Sequence, residues 1–366
     1  MAIDTPLRAE HEKLGAKMAE YFGCALPANY GDLAREYNFA RESVGLIDKN
    51  YRALLSLTGA DRVRYLNAML TGNIRDLAPG QGTISLLLNP QGRILAEVET
   101  LALPDRLFCV SHAMIRERLV STLDKFIIMD DVALDDITDR MGTLALEGPA
   151  TPALVRELCG LDWSSLPELG HAEVKVSDIG CRVVRRAPGG VASAEFIVER
   201  PQLLALWKLL LDQTREHGGG PVGYDALNVL RLEAGIPWYG YDFDENQIPH
   251  QAALEATHIN FTKGCYTGQE IVERVRSQGN VQRRRVMLRF SGDAIPARGE
   301  PLFVGTVEVG FVTRAARSPK LNAIIGMGYV RREQIEPGSE VTWKGGEATV
   351  IEFPAASAAH AGLESK

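Results

Sequence analysis

No stretch of this chain approaches the length of apolar sequence needed to cross a membrane, and its N-terminus carries charge from Asp4 onward without an apolar core of signal length. No Cys-x-x-Cys pair occurs. The five cysteines, Cys24, Cys109, Cys159, Cys181 and Cys265, are odd in number and scattered. Neither a zinc site nor a cysteine-ligated cluster is suggested, and no metal-binding residues are expected. An excess of basic charge is also missing. The net charge of −7 argues against broad nonspecific nucleic-acid binding, while leaving room for a local basic patch. Scattered free thiols fit a reducing compartment, so the chain is read as cytoplasmic and without a membrane partner. What is present is ordinary for a globular protein: 45% hydrophobic and 24% charged residues over a length of 366, enough for two or three domains.

Residues Leu7, His11, Leu14, Met18 and Tyr21 recur at helical spacing, and Gly23 and Pro27 break the chain after them. His11 is a potential ligand, but a lone helical histidine is more often a surface or packing residue. From 51 to 140 the chain reads strand (53–58), helix (from 59), two strands (82–88, 94–103) around the turn Asn89-Pro90-Gln91-Gly92, a short strand, an amphipathic helix (115–126, stripe Leu119, Leu123, Phe126) and a strand (132–137). With three strands between its helices, this is an order of the β-α-β-β-α-β, ferredoxin-like kind. Residues 141–235 repeat a similar order, with a strongly apolar helix at 203–211. From Arg284 onward short strands separated by turns suit a small antiparallel barrel or jelly roll, and the Ala/Ser-rich end, 355–366, reads as a disordered tail.

The most informative stretch is Lys263-Gly264-Cys265-Tyr266-Thr267-Gly268-Gln269-Glu270, running into Ile271-Val272-Glu273-Arg274-Val275. Thr267 and Glu270 have capping-box spacing, which predicts a helix from about Gly268 with Ile271, Val272 and Val275 on its buried face. Cys265 then faces the positive end of the helix dipole, and Lys263 adds a cation. Both favour a thiolate and hence a reactive cysteine; the alternative is a tight loop whose small cysteine packs. This segment resembles the signature of the YgfZ family, folate-binding proteins linked to iron–sulfur cluster assembly and repair and to tRNA modification. That family is itself similar to the T-protein (aminomethyltransferase) of the glycine cleavage system. The opening segment, Thr5-Pro6-Leu7 through Tyr30, is also similar to the T-protein's.

The resemblance extends to Arg231-Leu232-Glu233-Ala234-Gly235-Ile236-Pro237-Trp238-Tyr239-Gly240-Tyr241-Asp242. It implies that Arg231 and Tyr239 contact folate, together with Tyr266, Gln269 and Glu270 of the signature. Arg suits a carboxylate through a bidentate fork, and Tyr offers a stacking face. Alternatively Arg231 pairs with Glu233 or Asp242 and the aromatics are core. In Asn89 to Glu97 the family's paired aspartates, one of which assists aminomethyl transfer, fall on Ala96 and Glu97. A folate-pocket tyrosine falls on Ile84, and a pterin-binding glutamate falls on Val191 in Pro188-Gly189-Gly190-Val191. Pro249-His250-Gln251 has Gln where YgfZ proteins tend to have Glu. The basic run Arg274, Arg276, Arg283, Arg284, Arg285 and Arg289 can hold a polyglutamate tail, a phosphate or tRNA, or is a solvated face.

These readings combine into an α+β fold: two interleaved ferredoxin-like lobes plus a C-terminal antiparallel β-barrel or jelly roll, around a central cavity as in T-proteins. The expected division is 1–50 with 141–281 (carrying the signature loop), 51–140, and 282–354. The expected function is YgfZ-like. The cofactor is tetrahydrofolate or a one-carbon derivative, and the key side chains are Cys265 and Lys263. The partners are iron–sulfur assembly or client proteins, with a tRNA link. The alternatives are a tetrahydrofolate-dependent aminomethyltransferase, against which Ala96 argues, and a folate-free scaffold for a partner protein.

Overall fold

The computed structural model describes residues 2–187, 191–279 and 281–354. Pro188 to Gly190 and the expected tail lie outside the described residues. The chain forms two compact units. One comprises the chain up to Ser85 together with Glu97–Leu227; the other comprises Leu86–Ala96 and the chain from Asn228 onward.

Two mixed layers build the first unit. One sheet has the strand order 82–88, 94–102, 107–112, 52–58, 133–136, with helices Arg62–Met69 and Arg116–Lys125. This is the ferredoxin-like order with one extra edge strand. The other sheet runs 171–176, 179–186, 193–199, 141–147, 45–48, 220–221. Its inserted strand, Gly45–Asp48, comes from the N-terminal stretch and pairs antiparallel with 144–147, so the two lobes are interleaved. Helix Leu203–Glu216 covers this sheet because Leu203, Leu206, Trp207, Leu210, Leu211 and Thr214 share one buried face. Trp207 sits with Leu46, Leu146, Phe196 and Val198 in a single apolar cluster. Between the sheets lies a buried ionic group: Arg52 Nη2 donates to Glu195 Oε1 at 2.8 Å, and Arg186 Nη1 donates to Glu99 Oε1 at 2.7 Å. Burial opposes ionisation of Glu195, but Arg186 and Arg52 outweigh it and hold the carboxyl well below the usual carboxylate range.

The N-terminal helix predicted from Leu7 to Tyr21 is a correction. Only Arg8–Lys13 is helical, and Lys17–Tyr21 is a strand paired with Cys24–Asn29. Gly15 adopts φ +78°, a left-handed conformation that ends the helix and turns the chain. Cys24, between the predicted breakers Gly23 and Pro27, therefore starts a buried strand. His11 is fully buried, its Nε2 2.8 Å from Asp48 Oδ2 and its Nδ1 2.9 Å from Tyr30 Oη. Thr5 Oγ1 donates to the same Asp48 oxygen. His11 is thus a packing residue with its ring nitrogens engaged. Helix Leu33–Glu42 was not anticipated, and Phe126 is 43% exposed rather than part of a buried stripe.

The second unit contains a closed antiparallel barrel of six strands, in the order 283–290, 323–331, 307–318, 301–304, 340–343, 346–351. Its interior is filled by Val286, Leu288, Phe290, Leu302, Val312, Ile324 and Val350. Strand Glu340–Trp343 is a further difference from the sequence reading. Among the described residues no helix is long and apolar enough to cross a membrane.

Trp207 is fully enclosed, so Trp207→Ala is expected to destabilise the protein by about 3–5 kcal/mol through lost burial and the cavity left behind. Denaturant unfolding monitored by circular dichroism measures this, and a loss below about 1 kcal/mol would contradict the packing described.

Candidate functional site

Two sequence motifs meet within the second unit. The turn Asn89–Arg93 lies against the signature loop so closely that a Cβ at Gly268 would sit 2.6 Å from the Asn89 carbonyl oxygen and 3.0 Å from Leu88 Cβ. Gly268 has φ +83° and is itself the N-cap of helix Gln269–Gln278. The capping box expected from Thr267 and Glu270 is absent, because glycine takes the cap position and no side chain closes it. Glu270 instead bonds Arg274 at 2.8 Å on the exposed face of the helix. Of the three residues expected to be buried, only Val272 is; Ile271 and Val275 are half-buried.

Beside this loop, Lys263 is buried with its ammonium 5.4 Å from the centre of the Tyr266 ring, an amphipathic pairing of cation and π face. Tyr266 is buried too, and its hydroxyl has no partner among the described residues. Burial pushes its ionisation upward. His250 is buried with both ring nitrogens unpartnered among the described residues, and burial lowers its proton affinity. His250 and Tyr266 both feel the charges of Glu273 and Arg276 on the signature helix. Gln269 is half-buried and Cys265 is exposed.

A second network surrounds Asp242, whose side chain is completely buried. It pairs with Arg231 Nη1 and accepts from Trp238 N at 2.9 Å and Thr313 Oγ1 at 2.6 Å. Arg231 also donates through Nε and Nη2 to Asn228 Oδ1 at 3.0 and 2.8 Å, and its guanidinium lies 4.8 Å from the centre of the Trp238 ring. Tyr239 is buried, with its hydroxyl donating to the Leu95 carbonyl at 2.8 Å. That bond anchors the strand carrying Ala96, which is itself buried.

With this geometry established, likeness to known proteins becomes informative. Residues 7–263 match the GCVT N-terminal domain, and residues 283–354 match the glycine cleavage T-protein C-terminal barrel domain. The chain belongs to the glycine cleavage T-protein family. An aminomethyltransferase of Rubrobacter xylanophilus is 29% identical over 338 residues, covering 92% of this chain and 89% of that protein. One from Prochlorococcus marinus (strain MIT 9303) is 29% identical over 367 residues, covering 96% of each. The crystal structure of the glycine cleavage system aminomethyltransferase T from Bartonella henselae superposes with a TM-score of 0.88 at 25% identity, over 97% of this chain and 98% of that one.

Within this T-protein-family frame, the two residues expected to contact folate, Arg231 and Tyr239, both have partners in the protein itself. Arg231 does pair with Asp242, the alternative left open by the sequence, and its donors are spent on protein acceptors. Tyr239 presents neither a free hydroxyl nor an exposed ring face. Both residues hold the loop 236–243 in place. The basic run does not form one patch either. Arg274, Arg276 and Arg284 are paired with Glu270, Glu273 and Glu255, and Arg285 is buried on the Ala252 carbonyl at 2.8 Å, with burial pushing it down to about 10. The sequence reading missed Thr313, which lies 71 residues from Asp242 and carries no motif.

Arg231→Ala leaves the Asp242 carboxylate buried without its cation, so the expected effect is loss of stability by about 3–5 kcal/mol. Thermal unfolding measures it; an unchanged Tm would remove the ion pair from any structural role. Among the thiols, Cys265 is the exposed one. Burial pushes Cys24 up to about 11 and Cys109 and Cys181 up to about 12, and it also raises half-buried Cys159. Limiting iodoacetamide at neutral pH is therefore expected to label Cys265 first, read by peptide mass spectrometry. Preferential labelling of any other cysteine would contradict this.

Proposed function

We propose that this chain binds tetrahydrofolate, or a one-carbon derivative of it, and works in the chemistry of the aminomethyltransferase class. The observation that carries this is likeness over the whole length: both domain models match, and the aminomethyltransferase relatives are covered almost end to end.

A second reading is favoured by a specific observation. Ala96, buried in its strand, places a methyl group where the T-protein resemblance implies an aspartate, while the adjacent Glu97 lies 3.3 Å from His112 Nε2. With the signature loop 263–270, this supports a YgfZ-like protein that binds folate without efficient aminomethyl transfer. In that reading it serves iron–sulfur cluster assembly or repair, with a link to tRNA modification. Cys265 is its reactive group, the buried Lys263 and Tyr266 flank it in sequence, and Gln269 and Glu270 stand at the loop's exit. A scaffold that binds no folate is the outcome if the first measurement below fails.

Two measurements separate these readings. Calorimetry is expected to show tetrahydrofolate binding; no binding at millimolar ligand would sink both folate readings. With an aminomethylated lipoyl carrier, the second reading predicts that release of ammonia and methylene-tetrahydrofolate is slower than in a T-protein by ~10²–10⁴-fold, the usual contribution of a positioned acid or base. Turnover at a T-protein's rate would overturn the second reading. Ala96→Asp alone is expected not to restore transfer, since Ile84 and Val191 also differ from the T-protein pattern.

A further inference from the structure

The second unit contains a cleft of about 550 Å³ lined by Arg93, Arg283, Arg298, Tyr241, Asp244 and Gln247, among others. We propose that it binds a small ligand carrying two or more anionic groups, phosphates or carboxylates. This inference stands independently of the folate readings.

The cleft gathers uncompensated positive charge in a concave site. Arg93 donates through Nη1 to the Asn246 carbonyl, and Arg298 through Nη2 to the Gly240 carbonyl at 3.0 Å. These bonds fix the two guanidiniums in place without neutralising them. Arg314 lies 4.9 Å from the centre of the Tyr241 ring and Arg298 lies 5.8 Å from it, and the buried Nε of Arg314 has no partner among the described residues. None of Arg93, Arg283, Arg298 and Arg314 has a carboxylate oxygen within 4.0 Å among the described residues. The two acids of the cleft do not offset them. Asp242 is spent on Arg231, Trp238 N and Thr313; Asp244, which accepts from the backbone and side chain of Asn246 at 2.8 and 2.9 Å, keeps its charge and leaves the lining arginines Arg93, Arg283 and Arg298 in excess.

Positive charge is thus concentrated here in a chain whose net charge is −7. A concave wall focuses that field, and guanidinium forks match phosphate and carboxylate oxygens. A monoanion engages one fork; arginines contributed from positions 93, 283 and 298 on separate segments suit a ligand with spaced anionic groups.

The test is calorimetry on the full chain at low salt with tripolyphosphate and with citrate, using acetate as the monoanion control. Saturable binding of one or both polyanions is expected, weakening as salt rises, and which of them binds identifies the chemistry. Arg283→Gln and Arg298→Gln change a half-buried and an exposed residue, so folding should survive; each is expected to weaken binding about tenfold. Arg317→Gln, at an arginine paired with Asp293 at 2.8 Å and outside the cleft lining, is expected to leave binding unchanged. No saturable binding of either polyanion, equal binding of acetate, or binding indifferent to the cleft variants would overturn the proposal.

Discussion

The second unit depends on one buried carboxylate. Asp242 has no solvent contact, so its charge is tolerable only because a guanidinium, a backbone N–H and a hydroxyl all reach it. Those three partners come from the end of helix Tyr224–Glu233, from the loop after it and from a barrel strand. A single desolvated charge therefore fixes the loop 236–243 against the barrel. The Tyr329 hydroxyl adds to this by donating to the Asp242 carbonyl at 2.9 Å. The same loop carries Tyr239, which holds the strand of Ala96 through Leu95, and Tyr241, around which the unpaired arginines gather. The position of the Ala96 strand and the shape of the cleft both trace back to the satisfied ion.

Much of the fold was legible because hydrophobic periodicity reports burial directly. Helix 203–216 displays its buried face at i, i+3, i+4, i+7 and i+8, and the alternation of strands and helices from 51 to 235 gave both ferredoxin-like lobes. The N-terminus misled because Leu7, His11, Leu14, Met18 and Tyr21 keep helical spacing while Gly15 reverses the chain between them. Periodicity counts residues and does not register a left-handed turn. Strand Glu340–Trp343 escaped because its four residues, although they alternate polar and apolar, are too few to stand out between turns.

The site was legible as motifs and illegible as contacts. The signature loop and the segment ending at Ala96 stood out in sequence, but nothing there showed that their glycine-bearing turns touch. Arg231 looked available to a ligand because its partner lies 11 residues on, across a loop whose path the sequence does not specify. The basic run suggested a continuous patch because charge was counted along the chain. In three dimensions Arg274, Arg276 and Arg284 go to separate acids and Arg285 goes into the interior, while Arg283 joins Arg93, Arg298 and Arg314, which have no carboxylate partner among the described residues. Ala96 is the converse case. Its meaning lies in a missing group, so it became visible only against a family pattern.

The distribution of thiols sets a valency. One cysteine is exposed, Cys159 is half-buried and the other three are buried, so the folded chain offers one readily reached point for thiol–disulfide exchange. An oxidant acting on native protein has a natural stopping point at two chains joined through Cys265. Longer covalent assemblies would require at least local opening of the structure. The size of oxidised species is thereby a gauge of whether the fold was intact when oxidation occurred.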